Sequence, residues 1–140
     1  MLEQQPDIFA LIPQRPPIMM IDTVIDASDN HIVTQLTIHE DNIFVENNIF
    51  HEAGIIEHIA QSAAAFAGWQ TYNSGQPPRI GYIGEIKKCH IHALPKQGHQ
   101  LQTHMQLMAQ AGDVSLVQTQ TTANGHIIAD CQMKISLKAQ

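Results

Sequence analysis

The sequence predicts an α+β fold in which an antiparallel sheet wraps around one long buried helix. A single long helical segment covers residues 53–72, and its second half is apolar on nearly every side. Short apolar or alternating segments, separated by turn sequences, lie on both sides of it. Only 14% of the 140 residues are charged, against about a quarter in an average soluble domain. We therefore expect a partner chain to cover part of the surface.

The N-terminal part predicts a short helical turn followed by a β-hairpin. The turn at residues 7–12 is ended by Pro13. The nearly uninterrupted apolar run at 18–25 predicts a strand, and the Asp-Asn pair at 29–30 predicts a turn. Alternation of apolar and polar residues over 32–38 predicts the second strand of the hairpin.

The predicted central helix is about 30 Å long at 1.5 Å per residue. Because a helix that is apolar all round must be enclosed, we expect the sheet to surround it. Its residues are mostly small, so other backbone segments can approach it closely. The run SGQPP at 74–78 ends it.

The C-terminal half reads as strands and tight turns. Strands are predicted at residues 79–94, 100–109, 114–122 and 127–137, with turns at 95–98, 111–113 and 124–125. A sheet of so few strands leaves both edges open, and edge-to-edge pairing with a second copy would cover one of them. The sequence therefore predicts one domain over residues 1–140 and a dimer.

Charge and cysteine content restrict the classes of function. The chain has 13 acidic and 7 basic residues, a net charge of −6, which argues against binding nucleic acid through a basic face. No apolar run approaches the roughly 20 residues that span a membrane, and the N-terminus lacks the basic region of a signal peptide. Cys89 and Cys131 fall in predicted strands and match no metal or redox spacing. They predict two reduced core thiols in a cytoplasmic protein.

Glu57 is the first candidate for a catalytic residue. Its neighbours on the same helix face are small or apolar except for Gln61, so the carboxyl group lies where the helix becomes buried. A carboxyl group that loses its hydration can hold a proton near neutral pH and donate it. The alternative is that Glu57 is an acid of the first helical turn that the helix dipole stabilises. Glu52, at the helix start, fits that alternative better.

Two further residues near the helix start are candidates. His51, six positions before Glu57, could act as a general base; the alternative is a histidine that caps or packs at the helix start. His58 points about 100° away from Glu57 around the helix and suits that role less. Gly54 could expose backbone N–H groups to an oxyanion such as a thioester enolate; the alternative is close packing.

The remaining polar clusters give weaker signals. His90 and His92 share one strand face, but no third ligand is suggested by spacing, so no metal site is predicted. Lys87 and Lys88, with Arg79, form a small basic island that could dock an acidic carrier or a phosphate. A solvated strand face is the favoured reading of that island.

Three segments of the chain resemble the 3-hydroxyacyl-(acyl-carrier-protein) dehydratases, a family with the hotdog fold. Residues 11–22, LIPQRPPIMMID, are similar to the family's opening Leu-Pro-His-Arg-x-Pro-x-Leu-Leu-Val-Asp. Residues 57–61, EHIAQ, match its Glu-x-Met-Ala-Gln helix, and residues 86–98 stand where the family has a basic strand followed by Pro-Gly-Asp. The resemblance covers nearly the whole chain and implies a hotdog fold wrapped around the central helix.

One segment departs from the family pattern. Fatty-acid dehydratases carry their catalytic histidine in Gly-His-Phe-Pro-Gly, whereas residues 47–54 here read NNIFHEAG and form a shorter loop. This form is similar to the divergent dehydratase-like proteins of bacterial aryl-polyene and related polyketide pathways, as are residues 81–84, GYIG. Glu57 carries over from the family motif. His51 does not carry over by position and is the nearest remaining histidine.

The resemblance implies dehydration of a 3-hydroxyacyl thioester, carried on acyl-carrier protein or coenzyme A, to the 2-enoyl thioester without a cofactor. His51 would remove the α-proton, Glu57 would protonate the departing hydroxyl, and N–H groups near Gly54 would stabilise the enolate. Gln61, Ile83 and Gly84 are expected to line the substrate tunnel. In such hotdog dimers the acid and the base come from opposite subunits.

Two other functions remain open at this point. A hotdog thioesterase would use Glu57 to activate water or to attack the thioester, and His51 would be dispensable. Alternatively, the chain is a partner without a complete site in a mixed dimer with another hotdog chain, an alternative that the missing Gly-His-Phe-Pro-Gly segment motivates.

Overall fold

The computed structural model describes residue 2 and residues 4–75 and 81–137. Within these residues one six-stranded antiparallel sheet has the strand order β1-β2-β6-β7-β8-β5, and β3 and β4 form a separate small hairpin. The elements are the 3₁₀ turn Ile8–Ala10, β1 Thr23–Ala27, β2 His31–Thr37, β3 Val45–Glu46, β4 Ile49–Phe50, α1 Glu52–Asn73, β5 Gly81–Ile91, β6 Gln100–Ala111, β7 Val114–Ala123 and β8 His126–Leu137.

Strands β6, β7 and β8 form a meander whose turns are set by local sequence. Gly112 has φ 61° between β6 and β7, and Asn124 and Gly125 have φ 47° and 86° between β7 and β8. Two consecutive residues in the left-handed region match the twist of a two-residue hairpin. The predicted strands and turns of the C-terminal half are therefore confirmed.

Helix α1 lies across one face of the sheet, and the core lies between them. Alternate residues of β2 and β6 are buried, as expected for strands with one covered face. The residues of this layer are Ile32, Leu36, Leu101, Met105, Val117 and Met133 on the sheet and Ile55, Ile59 and Phe66 on the helix. A bond of 2.7 Å between the hydroxyls of Thr34 and Ser62 joins the two layers. One sheet wrapped around one enclosed helix is the predicted hotdog fold.

Small helix residues allow another backbone segment to approach, as predicted. A Cβ atom built on Gly68 would lie 2.1 Å from the carbonyl oxygen of Leu11. Only glycine leaves room for a main chain at this distance. Residues 11–20 therefore pack directly on α1.

That packing overturns the predicted strand at 18–25. Only Thr23–Ala27 pairs with β2, because the backbone groups of Ile18 and Met20 bond to side chains of α1 instead. The amide of Gln61 donates to Ile18 O at 2.9 Å and accepts from Met20 N at 2.6 Å. In the part of the run that precedes β1, Met20 and Ile21 are buried, whereas Ile18 is exposed.

The prediction of two core thiols is wrong for Cys89. Cys131 is buried, but Cys89 is exposed. The register of β5 against β8 shifts between Lys87 and His90, and Lys88 has φ 49° in that bulge. Cys89 lies within this irregular stretch of the strand and is exposed.

β5 runs over Gly81–Ile91, so it ends before the predicted residue 94, and residues 79–80 lie outside the described part of the chain. The sheet has two edges, as predicted, and they are strands β1 and β5. Among the described residues, none of the helices is long and apolar enough to cross a membrane.

Candidate functional site

Glu57 lies near the start of α1, on a half-buried face of the helix that also carries Ala60 and Ala64 and is here called the open face. It is half-buried, and its Oε2 accepts a hydrogen bond of 2.9 Å from Nε2 of Gln61, one turn further along. The spacing of four residues places both side chains on one face, as the sequence predicted. The carboxylate thus has a fixed orientation and a face that a substrate can reach.

Gln61 is fully buried and uses its whole amide group. Its Oε1 accepts the N–H of Met20, and its Nε2 donates both to Ile18 O and to Glu57. If the amide were flipped, its nitrogen would face the Met20 N–H and its oxygen would face the carbonyl oxygen of Ile18, so neither hydrogen bond could form. The predicted tunnel residue Gln61 is therefore the anchor of Glu57.

His58 points into the core, as the 100° offset from Glu57 predicted. Its side chain is fully buried, and Nδ1 lies 2.8 Å from Met20 O. Burial lowers the pKa of His58 to about 4, although the hydrogen bond to Met20 raises it. The ring is neutral at pH 7.

The hairpin β3–β4 places His51 at the start of α1. Asn47 and Asn48 form its turn with φ 53° and 70°, and His51 N donates to Phe44 O at 3.0 Å. His51 is the N-cap residue, but its side chain bonds to no helix N–H. Nε2 lies 3.3 Å from Glu46 O instead. The predicted alternative of a side-chain cap is therefore not what the structure shows.

Within the described residues no hydrogen bond or ion pair links the His51 ring to Glu57 in one chain. The six positions that separate them correspond to a rise of about 9 Å along the helix. One copy of the chain holds the two predicted groups apart.

Gly54 packs against aromatic rings. A Cβ atom built on it would lie 2.5 Å from Cζ of Phe50 and 2.7 Å from Cβ of Phe44. Its N–H donates to His51 O at 2.9 Å, and so closes the first turn of the helix. The structure supports the close-packing alternative, and the use of this N–H by an oxyanion stays a prediction.

A cavity of about 210 Å³ follows the same face of α1 as Glu57. Its lining includes the small side chains of Ala60 and Ala64 and, on β5, Ile83. Ala60 and Ala64 lie three and seven positions after Glu57, on the same helix face. Gly84 is exposed on β5 and is not among the residues that line this cavity.

Gln14 also lines this cavity, and sequence reasoning missed it. Its Oε1 is buried without a hydrogen-bond partner in the described structure. The available signal was that Gln14 stands where the resembling family has a histidine.

The pair His90 and His92 meets Asp130 on the adjacent strand β8. Their ring nitrogens lie 3.1 Å and 2.9 Å from the two carboxylate oxygens, and these bonds, from His92 first and then from His90, lower the pKa of Asp130. Across the described residues, no group of three or more histidine, cysteine or acidic side chains has the geometry to hold a metal ion. Of the basic island, Lys87 lies 3.6 Å from Glu85, and Arg79 lies outside the described residues.

Comparisons with known proteins agree on one family. Residues 6–139 match the sequence model of the ApeP-like family, described as ApeP dehydratase. A curated relative, the 3-hydroxyacyl-(acyl-carrier-protein) dehydratase FabZ of Oceanobacillus iheyensis, is 23% identical over 134 residues, which cover 91% of this chain and 94% of the relative. FabZ of Lactococcus lactis subsp. lactis is 27% identical over 131 residues, 90% of this chain and 85% of the relative.

Solved structures show the same fold at low sequence identity. The dehydratase heterocomplex ApeI:P from Xenorhabdus doucetiae contains a chain with a TM-score of 0.86 and 19% identity, covering 95% of this chain and 91% of that chain. A hypothetical thioesterase with coenzyme A from Streptococcus pneumoniae has a TM-score of 0.68 and 11% identity, covering 84% of this chain and 85% of that one. At these identities the likeness establishes the fold, and the family match distinguishes between the chemistries.

Proposed function

Since the chain belongs to the ApeP-like dehydratase family, we propose that Glu57 is the proton donor in its reaction. That reaction is the dehydration of a 3-hydroxyacyl thioester to the 2-enoyl thioester. One observation carries the assignment: Gln61 holds the Glu57 carboxyl group on the open face of α1, and the cavity begins one turn further along that face.

The chemistry requires one base and one acid. The base removes a proton from C2, the electron pair of that C–H bond forms the C2=C3 double bond, and the C3–O bond breaks. The proton of Glu57 leaves with the hydroxyl group as water. A well-placed acid or base contributes about 10²–10⁴ in rate.

His51 is the proposed base. A carbonyl oxygen can only accept a hydrogen bond, so the contact of Nε2 with Glu46 O requires the ring proton on Nε2. The neutral ring then has its lone pair on Nδ1, where it can accept the C2 proton. Because the side chain caps no helix N–H, that lone pair is not needed by the fold.

A second chain completes the proposed site. Strand β5 is an edge of the sheet, paired on one side with β8, and it exposes Tyr82 and Ile86. The stripe of Glu57, Ala60 and Ala64 beside it is only half-buried. A chain that pairs along β5 would cover both features. One chain does not bring Glu57 and His51 together. In the proposed dimer the second chain therefore brings its own helix start towards Glu57.

The second chain is either another copy or a different hotdog protein. The ApeI:P neighbour is a heterocomplex, which supports a mixed dimer for this chain as well. Acyl-carrier protein as the thioester carrier is supported by the names of the curated relatives. Both points are part of the proposal.

The test is turnover by the purified protein, alone and mixed with a second hotdog chain of the ApeI kind. A 3-hydroxyacyl thioester and the matching 2-enoyl thioester, on acyl-carrier protein and on coenzyme A, are followed by mass spectrometry. We expect loss and addition of water, and we expect Glu57→Gln to slow both by about 10²–10⁴ without changing the melting temperature or the oligomeric state. Glu52→Gln, the exposed acid of the first turn, is the matched control and should keep full activity.

The outcomes separate the alternatives. Activity in the mixture alone would identify the chain as one half of a mixed site. Thiol release without loss of water would replace the dehydratase by a thioesterase. Full activity of a folded Glu57→Gln protein would overturn the role of Glu57.

A further inference from the structure

His58 is an unusual residue for a helix core. Its ring is fully buried, yet only one of its nitrogens is used. Nδ1 donates to Met20 O at 2.8 Å, because the carbonyl oxygen can only accept. Nε2 therefore carries a lone pair, and it has no partner within the described parts of the chain. An unpaired buried acceptor is unfavourable, so packing alone would favour an apolar side chain here.

His58 and Gln61 both form hydrogen bonds with the backbone of Met20. The peptide groups on either side of this residue are held from α1, one by His58 at Met20 O and the other by Gln61 Oε1 at Met20 N. The same Gln61 amide donates to Glu57 Oε2. A continuous path of hydrogen bonds thus runs from His58 through the backbone of Met20 and the amide of Gln61 to Glu57.

The path starts and ends on adjacent helix residues that face different ways. His58 is fully buried and Glu57 is half-buried, so the segment around Met20 connects the buried and open sides of α1. A shift of Met20 would move Gln61 Oε1, and the Nε2 group that holds Glu57 would move with it. The other donor bond of Gln61, to Ile18 O, ends on the same segment.

We propose that His58 is a positioning residue for Glu57, acting by fixing the backbone of Met20 and thereby the amide of Gln61. This rests on the proposed function, because it gives Glu57 a role in turnover. His58 itself touches no substrate in this proposal. Its work is to keep the donor of Gln61 directed at Glu57.

Two kinds of substitution test the proposal. His58→Leu and His58→Gln remove the donor at the Nδ1 position, the first with an apolar group and the second with an amide whose nitrogen lies where Nε2 was. His58→Asn keeps a donor at the Nδ1 position and lacks Nε2. We expect the first two to lower kcat about tenfold to a hundredfold with little change in KM, as displacement of a catalytic group by about 1 Å can do. His58→Asn should recover most of that loss.

A double-mutant cycle with Glu57→Gln separates positioning from a general loss of structure. If His58 acts through Glu57, His58→Leu should lower the residual rate of the Glu57→Gln protein no further. Thr103→Val is the matched control: it breaks a buried hydroxyl–hydroxyl bond of 2.7 Å to Thr121, which is not part of the path from His58 to Glu57. It should lower stability but leave kcat unchanged.

Other results would contradict either the positioning role of His58 or the role of Glu57 on which it rests. Full kcat in a folded Leu or Gln variant, with Glu57→Gln inactive, would overturn the positioning role and leave the role of Glu57 intact. If the Leu and Gln variants fail to fold, a folded His58→Asn protein with a tenfold or greater loss of kcat would overturn the proposal, because Asn keeps the donor to Met20 O. Full activity of Glu57→Gln would overturn the proposed function itself.

Discussion

Gln61 holds Glu57 from the buried side of the helix: its Nε2 donates to Glu57 Oε2 at 2.9 Å while its Oε1 accepts the Met20 N–H at 2.6 Å. Gln61 is fully buried and Glu57 is half-buried. The proposed acid is therefore oriented by a group that solvent does not reach. The orientation persists only while the backbone at residues 18–20 stays against the helix.

The first prediction is that Gln61→Leu loses both stability and activity. The change leaves the buried N–H of Met20 and the partly buried carbonyl oxygen of Ile18 without Gln61, and an unpaired buried group costs about 1–3 kcal/mol. We expect the free energy of unfolding, measured by urea denaturation, to fall by about 2–4 kcal/mol. Activity should fall further than stability explains, because Glu57 loses its donor.

Gln70→Leu is the matched control on the same helix. Its amide donates to Asp29 O at 3.2 Å at an exposed position, so its loss should change stability by less than about 0.5 kcal/mol. Equal stability of Gln61→Leu and the wild type would show that Gln61 is not the anchor described here.

The second prediction concerns acid and follows from His58. Burial lowers its pKa to about 4 from the ordinary value of 6.5, so between these pH values the unfolded chain binds a proton that the folded chain does not. The contribution is fully present above pH 6.5 and is lost as the pH falls towards 4. The loss amounts to about 3 kcal/mol in total.

Urea denaturation at pH values from 4 to 8 measures this effect. The slope between pH 6.5 and 4 should be smaller for His58→Asn than for the wild type. His126→Asn, at an exposed position in the β7–β8 turn region, should keep the wild-type slope. Identical slopes for all three proteins would show that His58 is not responsible.

The third prediction is that His51→Ala loses turnover but not stability. The ring is only half-buried and caps no helix N–H, and within the described parts of the chain its hydrogen bond is the long contact with Glu46 O. Removal of a general base lowers the rate by about 10²–10⁴. Initial rates and melting temperature are compared with those of His126→Ala. Full activity of His51→Ala beside an inactive Glu57→Gln would place the base elsewhere, on this chain or on its partner.

Local patterns predicted most of the fold. The helix begins and ends within one residue of the predicted bounds, and the turns at Gly112 and Asn124–Gly125 lie where expected, because helix periodicity and hairpin turns are properties of short segments. The pairing of Glu57 with Gln61 follows from the same local rule of four residues.

The errors come from long-range contacts. The run at 18–25 has the composition of a strand, but Gln61 and His58 take up its backbone bonds from more than 35 positions away. No periodicity of the run itself contains that information. The bulge that exposes Cys89 depends on the register of β5 against β8. The path of hydrogen bonds from His58 to Glu57 passes through the backbone of Met20, and the sequence alone does not predict that this backbone lies against the helix.

The last prediction concerns Gly68, on which the backbone of residues 11–20 rests. In an open helix Gly68→Ala would stabilise by about 1 kcal/mol, but here the new methyl carbon would lie 2.1 Å from Leu11 O and 2.9 Å from Leu11 C. Backbone cannot give way as a side chain can, so we expect a net destabilisation of about 1–3 kcal/mol in urea denaturation. Gly84→Ala is the control, because its methyl carbon would lie 3.8 Å from Lys134 O, an ordinary contact. The displaced segment leads to Met20, so Gly68→Ala should also lower kcat. A variant as stable and active as the wild type would contradict the close packing that positions Gln61 and Glu57.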